Sequence, residues 1–129
     1  MPISKTLKGV LLAAALGAVC APIVAPIVLP ARAQSAAANG ISIDNFELVE
    51  LNEAFAAQAI ACIKELGLPG DRTNIYGGGI SLGHPIGATG ARIVATLIHG
   101  MKRSNRRLGL ATLCIGGGQG MAMILESAS

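Results

Sequence analysis

Three side chains in this sequence stand where chemistry is possible. His84 lies in ISLGHPIGATG, residues 80–90, held between Gly83 and Pro85. A histidine titrates near neutral pH and is the usual general base, although a lone histidine is as readily structural. Cys114 lies in ATLCIGGGQG, with Gly116, Gly117 and Gly118 behind it. Glycines leave backbone N–H groups unshielded, and such groups stabilise an oxyanion; a cysteine before a turn also reads as packing. Asn52, in LNEAF, stands at an expected strand-to-helix turn. All three sit where elements begin or end, the places where side chains and bare amides converge on a ligand. The glycines build no phosphate loop. No GxxxxGK[ST] is present, and no GxGxxG follows a strand and opens a helix.

The elements that must position these residues can be read from periodicity. FELVEL, residues 46–51, alternates apolar and acidic residues as a half-buried strand does. Phe55, Ala59, Ile63 and Leu66 then fall on one helical face, with Asn52 as the expected cap and Gly67 and Pro69 as the stop. A second helix is expected from about Ala88 to Arg103, turning Ile93, Val94, Leu97, Ile98 and Met101 inward. LGLATLCI and MAMILES read as two antiparallel strands joined by GGGQG. The sum is half of a layered α/β domain rather than a whole one.

Composition sets further bounds. A chain of 129 residues allows one small domain. Aromatic residues are limited to Phe46, Phe55 and Tyr76, so Ala, Ile, Leu, Val and Met must build the core. The net charge of +3 comes from Lys5, Lys8 and Arg32, because from Gln34 onward seven basic residues face seven acidic ones. A neutral body gives no case for a nucleic-acid partner. The basic cluster from Lys102 to Arg107 reads as a helix end and a solvated turn. Cys20, Cys62 and Cys114 have no CxxC spacing, so neither a disulfide framework nor a metal site is indicated.

The first 33 residues differ from the rest. Lys5 and Lys8 precede an uncharged apolar run from Gly9 to Pro30, and Ala31-Arg32-Ala33 has the small-x-small pattern of a cleavage site. That is the layout of a secretory signal, and the run is long enough to span a bilayer if uncut. Pro22, Pro26 and Pro30 work against a regular spanning helix. The competing reading is translated sequence upstream of a misplaced start. The expected division is therefore 1–33, a signal-like or membrane-anchor segment with membrane contact through residues 9–30, and 34–129, an α/β piece.

Taken together, NEAF at 52–55, N-x-x-GG-x-I-S-x-GHP-x-G-x-T-G at 74–90 and GLATLCIGGGQGMA at 109–122 resemble the C-terminal signatures of the thiolase family, in that family's order and at about its spacing. The resemblance runs from roughly Ile41 to Glu126. It implies a partial thiolase C-terminal domain, with layered helices on a mixed sheet. It also implies acyl-CoA chemistry, either thiolysis of 3-ketoacyl-CoA or the reverse Claisen condensation. By this resemblance His84 activates a nucleophilic cysteine and helps form one oxyanion hole, and Asn52 positions a water there. Cys114 is the acid/base at the substrate α-carbon, and Gly116 gives a backbone N–H to the other hole. No cofactor is implied; the coenzyme A thioester is the substrate.

Departures from the family pattern qualify that picture. The family's nucleophile sits in a cysteine-glycine-serine-rich motif, which neither Cys20 in VCAPI nor Cys62 in IACIKEL matches. The family's CoA-gripping loop region is also without a counterpart, so CoA-binding residues are unassigned. The expectations are a truncated thiolase portion inactive alone, a non-catalytic chain completing a site with a separate N-terminal half or in a homo-oligomer, or an exported protein with a borrowed fold. CoA esters are an intracellular pool, so the motifs imply a cytoplasmic protein, against an exported or membrane-anchored one implied by the leader.

Overall fold

A computed structural model of the chain describes residues 40–117 and 119–128. The apolar segment 1–33 lies outside the described residues, among which no helix is long and apolar enough to cross a membrane.

After a 3-10 turn at Ile43–Asn45, the chain forms β1 (Leu48–Leu51), α1 (Ala56–Leu66), a single helical turn α2 (Gly79–Leu82), α3 (Thr89–Ser104), β2 (Leu108–Gly116) and β3 (Gln119–Glu126). The sheet order is β1-β2-β3. β1 runs parallel to β2, with Leu51 opposite Thr112, and β2 runs antiparallel to β3, with Cys114 opposite Gly120. On the far side of β1, Val49 N–H donates to Arg72 O and Asn74 N–H to Val49 O, so residues 72–74 continue the sheet as one parallel bridge.

Helices cover both faces. On one side Val49, Leu51 and Leu110 pack with Ala59, Leu68 and the half-buried Ile63 and Leu66. On the other, Leu48 and Ala111 pack with Ile93, Leu97 and Met101 of α3. Successive strand residues thus serve opposite cores, as the two-residue period of a strand requires. The result is a helix–sheet–helix sandwich, and the predicted partial α/β architecture is present.

This layering corrects one expectation. β1 is not half-buried: all four of its residues are buried, and Glu50 is 0% exposed. A strand bonded into a parallel ladder between two helical layers has no solvent face. The alternating acid at position 50 therefore points into the α3 side of the core.

The helix ends follow local chemistry. Gly67 closes α1 in the left-handed region (φ 63°), giving its N–H to Ile63 O and Lys64 O. Asn105 (φ 53°) closes α3, and Lys102 and Arg103 occupy the last turn, where cations favour the exposed carbonyls. Asn52 does not cap α1. The helix begins four residues later, Phe55 holds the cap position without a side-chain hydrogen bond, and Asn52 is fully buried and turned toward His84. Phe55, expected on the inner helical face, is 71% exposed because it precedes the first helical turn.

Candidate active site

β1 and β2 run parallel, so their carboxyl ends share one rim of the sheet. Asn52 follows the last residue of β1, and its N–H donates to Thr112 O on β2 (2.8 Å). Two residues beyond Thr112 is Cys114, half-buried, and two beyond that is Gly116, where the ladder with β3 slips by one residue. Gly116 takes φ +115°, a backbone region that L side chains rarely adopt. Strand register thus delivers Asn52, Cys114 and Gly116 to the same rim.

His84 arrives from the opposite direction, in the loop between α2 and α3. Its Nδ1 lies 2.6 Å from Thr89 Oγ1, and its Nε2 lies 3.4 Å from Asn52 Nδ2. The Thr89 hydroxyl gives its one hydrogen to Pro85 O (2.9 Å), so it accepts from the imidazole. This assigns the proton to Nδ1 and leaves a bare Nε2, which accepts from the Asn52 amide. A neutral imidazole with a half-buried, lightly held Nε2 lone pair is the form a general base takes. Asn52 and Thr89 are both 0% exposed, so the ring is clamped between two buried partners.

The approach to His84 is built on Glu53. Its Oε1 accepts from Asn74 Nδ2 (2.9 Å) and its Oε2 from the Ile80 N–H (3.0 Å). Asn74 also exchanges two 2.8 Å hydrogen bonds with the Leu51 backbone, imitating a neighbouring strand. Gly78 is required by this arrangement, since a Cβ there would stand 2.2 Å from the Glu53 carboxyl. In the histidine stretch, Gly83 turns the chain at φ +99° immediately before His84.

Behind the rim, Glu50 is the one group among the described residues whose ionisation is strongly displaced. Burial lifts its carboxyl from 4.5 to about 7; Arg92 opposes that rise, and Glu53 adds to it. Both Glu50 oxygens and the Arg92 Nε, Nη1 and Nη2 are shut off from solvent without a hydrogen-bond partner, as is Asn52 Oδ1.

Of the four residues singled out by sequence, Asn52 and His84 are in contact, and Cys114 and Gly116 share their rim through β2. Sequence reasoning missed Thr89, Glu53 and Asn74. All three lay within the quoted motifs, and a carboxylate just after a strand together with a glycine run was the available signal for Glu53 and Asn74. Glu50 and Arg92 gave none, because both read as solvent-facing. No group of three or more potential metal ligands occurs among the described residues.

Fold and rim together define an α/β domain that carries its polar groups at the carboxyl edge of parallel strands, the usual place for ligand chemistry in such sheets. Comparison with known proteins then makes the class specific. Residues 8–127 match the family model described as "Thiolase, C-terminal domain", and the chain belongs to the thiolase family. It is 53% identical over 97 residues to the acetyl-CoA acetyltransferase of Escherichia coli strain K12, an alignment covering 75% of this chain and 25% of that protein. It is 51% identical over 100 residues to the 3-ketoacyl-CoA thiolase of Aliivibrio fischeri, covering 75% and 26%. Among solved structures, the Bacillus anthracis acetyl-CoA acetyltransferase superposes with a TM-score of 0.71 at 45% identity, over 74% of this chain and 25% of that one. Human mitochondrial 3-ketoacyl-CoA thiolase in complex with CoA gives a TM-score of 0.67 at 46% identity, over 68% and 22%. The chain thus spans about a quarter of the relatives it matches.

Proposed function

We propose that this chain supplies the C-terminal catalytic rim of a thiolase-type acyltransferase acting on acyl-CoA, in the direction of 3-ketoacyl-CoA thiolysis or Claisen condensation. The observation that carries the reading is the Asn52–His84–Thr89 clamp, which leaves a bare imidazole nitrogen at the rim that also holds Cys114 and Gly116.

In this reading, His84 Nε2 takes the proton of a nucleophilic cysteine supplied by further polypeptide, because neither Cys20 nor Cys62 matches the family's nucleophile motif. The thiolate attacks the 3-keto carbon of the substrate. The imidazole and a water on Asn52 form one oxyanion hole and the Gly116 N–H belongs to the other, so that between them the two hold the tetrahedral oxyanion and the enolate. As the bond between C2 and C3 breaks, Cys114 gives a proton to the departing α-carbon. Thiolysis ends when the CoA thiol gives its proton to the Cys114 thiolate and its sulfur takes the acyl group, and the departing cysteine sulfur regains its proton from the His84 imidazolium.

Activity accordingly needs more polypeptide than the matched segment, and the chain alone is inactive. The segments flanking the clamp support this second half of the proposal. Phe55, Ile80, Leu82 and Ile86 are 71%, 65%, 56% and 86% exposed, an apolar border that water does not favour. Its occupant is a thiolase N-terminal half. We further propose a cytoplasmic setting, where CoA thioesters are pooled, in place of export through the apolar leader.

The test is reconstitution. The chain is co-expressed with the E. coli acetyl-CoA acetyltransferase lacking its matched C-terminal quarter, and acetoacetyl-CoA thiolysis is followed. Activity that His84→Ala abolishes supports the reading; a folded complex with no thiolysis overturns it.

A further inference from the structure

We infer that Glu53 is a positioning residue for His84: its carboxylate seats Gly78, Gly79 and Ile80 just beyond the end of β1, and so fixes where the histidine loop starts. The meaning for catalysis rests on the function proposed above, whereas the geometric claim concerns His84 itself.

The turn that leads to His84 has little burial to hold it. α2 is four residues long, too short to stand on its own hydrogen bonds. Its apolar side chains do not anchor it, since Ile80 and Leu82 are 65% and 56% exposed. Of residues 78–83 only Gly78 and Gly79 are buried, and what they meet is Glu53. A Cβ on Gly78 would strike the Glu53 carboxyl, and one on Gly79 would stand 2.7 Å from the Glu53 carbonyl oxygen. The glycine run is thus shaped to lie directly on this residue.

Hydrogen bonds continue the connection as far as the residue before His84. Glu53 Oε2 accepts from the Ile80 N–H at the open N-terminal end of α2. Glu53 Oε1 accepts from Asn74, whose side chain is itself fixed to the Leu51 backbone. One step further, Gly78 O accepts from the Leu82 N–H and Gly79 O from the Gly83 N–H, both at 2.9 Å. Asn52, next to Glu53 in sequence, donates to the His84 ring at 3.4 Å. Two consecutive residues therefore serve the two ends of one loop, Glu53 its start and Asn52 its imidazole. Thr89 holds the ring from α3, and Glu53 holds the chain on the other side. Both carboxylate oxygens accept from N–H groups, a demand glutamine cannot meet, because its amide turns N–H bonds toward one of the two donors.

The experiment compares the full 129-residue chain with its Glu53→Gln and Glu53→Ala variants. Amide hydrogen exchange reads Ile80. Proton–nitrogen spectra read the His84 ring and its cross-peaks to the Asn52 side-chain amide. The expected result is Ile80 exchange faster by about tenfold or more, with shifted His84 ring nitrogens and weakened cross-peaks to Asn52. A folded variant that keeps the native His84 signals overturns the inference, whether or not Ile80 loses protection. Should both variants fail to fold, the native chain decides: an Ile80 amide protected together with Leu82 and Gly83 supports the seat, and one that exchanges freely overturns it. In the reconstituted complex, Glu53→Gln is expected to lower kcat by about tenfold or more with KM near its native value. An unchanged kcat overturns the inference. A native complex without thiolysis overturns the proposed function instead, and the His84 spectra still decide the role of Glu53.

Discussion

At His84 the direction of two hydrogens decides which ring nitrogen is left bare. Thr89 spends its hydroxyl hydrogen on Pro85 O and so receives the Nδ1–H of the ring, which leaves Nε2 unprotonated beside Asn52. Thr89→Val removes that acceptor while nearly conserving volume. The expected outcome is loss of the tautomer preference with the fold retained, visible in the imidazole nitrogen shifts alongside an unchanged circular dichroism spectrum. Glu50 gives a pH prediction. Its folded value of about 7 lies above the ordinary 4.5, so between these values the native state binds more protons than the unfolded state. Its stabilising contribution is therefore full below about 4.5 and is lost as the pH rises through about 7, an effect of up to roughly 3 kcal/mol. Urea unfolding at about pH 5 and about pH 8 measures it, and Glu50→Gln flattens the difference. None of this was legible at position 50. An acid in an alternating run reads as a solvent-facing residue, and only the second helical layer makes it a core residue.

The elements show why some features were readable and others were not. α1, α3 and the β2–β3 hairpin carry the periodicity of their own packing, so Ala59, Ile93, Leu97 and Met101 announce their inward faces. By contrast, Asn52 answers to His84 across 32 residues and Glu53 to Asn74 across 21. Such contacts leave no local period, and an asparagine before a helix reads as a cap until the fold claims it. Glu53 explains Gly78 and Gly79, which precede the histidine loop. Gly78→Ala forces a methyl group onto the Glu53 carboxyl and is expected to cost roughly 1–3 kcal/mol, with loss of protection at the Ile80 amide in hydrogen exchange. In the core, Leu97→Ala empties a 0% exposed site and is expected to cost roughly 2–5 kcal/mol by chemical denaturation. Arg107→Ala tests the surface. It breaks a 2.6 Å ion pair with Glu126, but at 75% side-chain exposure its effect is expected to stay below about 1 kcal/mol.

At the scale of the whole molecule, the sandwich is a base with an open border. Its two cores lie on either face of a three-stranded sheet, while Phe55, Ile80, Leu82 and Ile86 face water around the histidine loop and Ile115 and Met121 do so at the hairpin end beside Cys114. The border coincides with the rim that holds Asn52, His84, Cys114 and Gly116, so whatever covers it also closes the site. The relatives matched here are about four times the length of the aligned segment. The measurement that tests the central claim most directly is acetoacetyl-CoA thiolysis by the chain reconstituted with a thiolase lacking its C-terminal quarter. The account predicts no turnover from either piece alone, turnover from the complex, and its loss in His84→Ala with the complex intact. A complex that assembles and folds yet cleaves no substrate, or one that keeps full activity without His84, would contradict it.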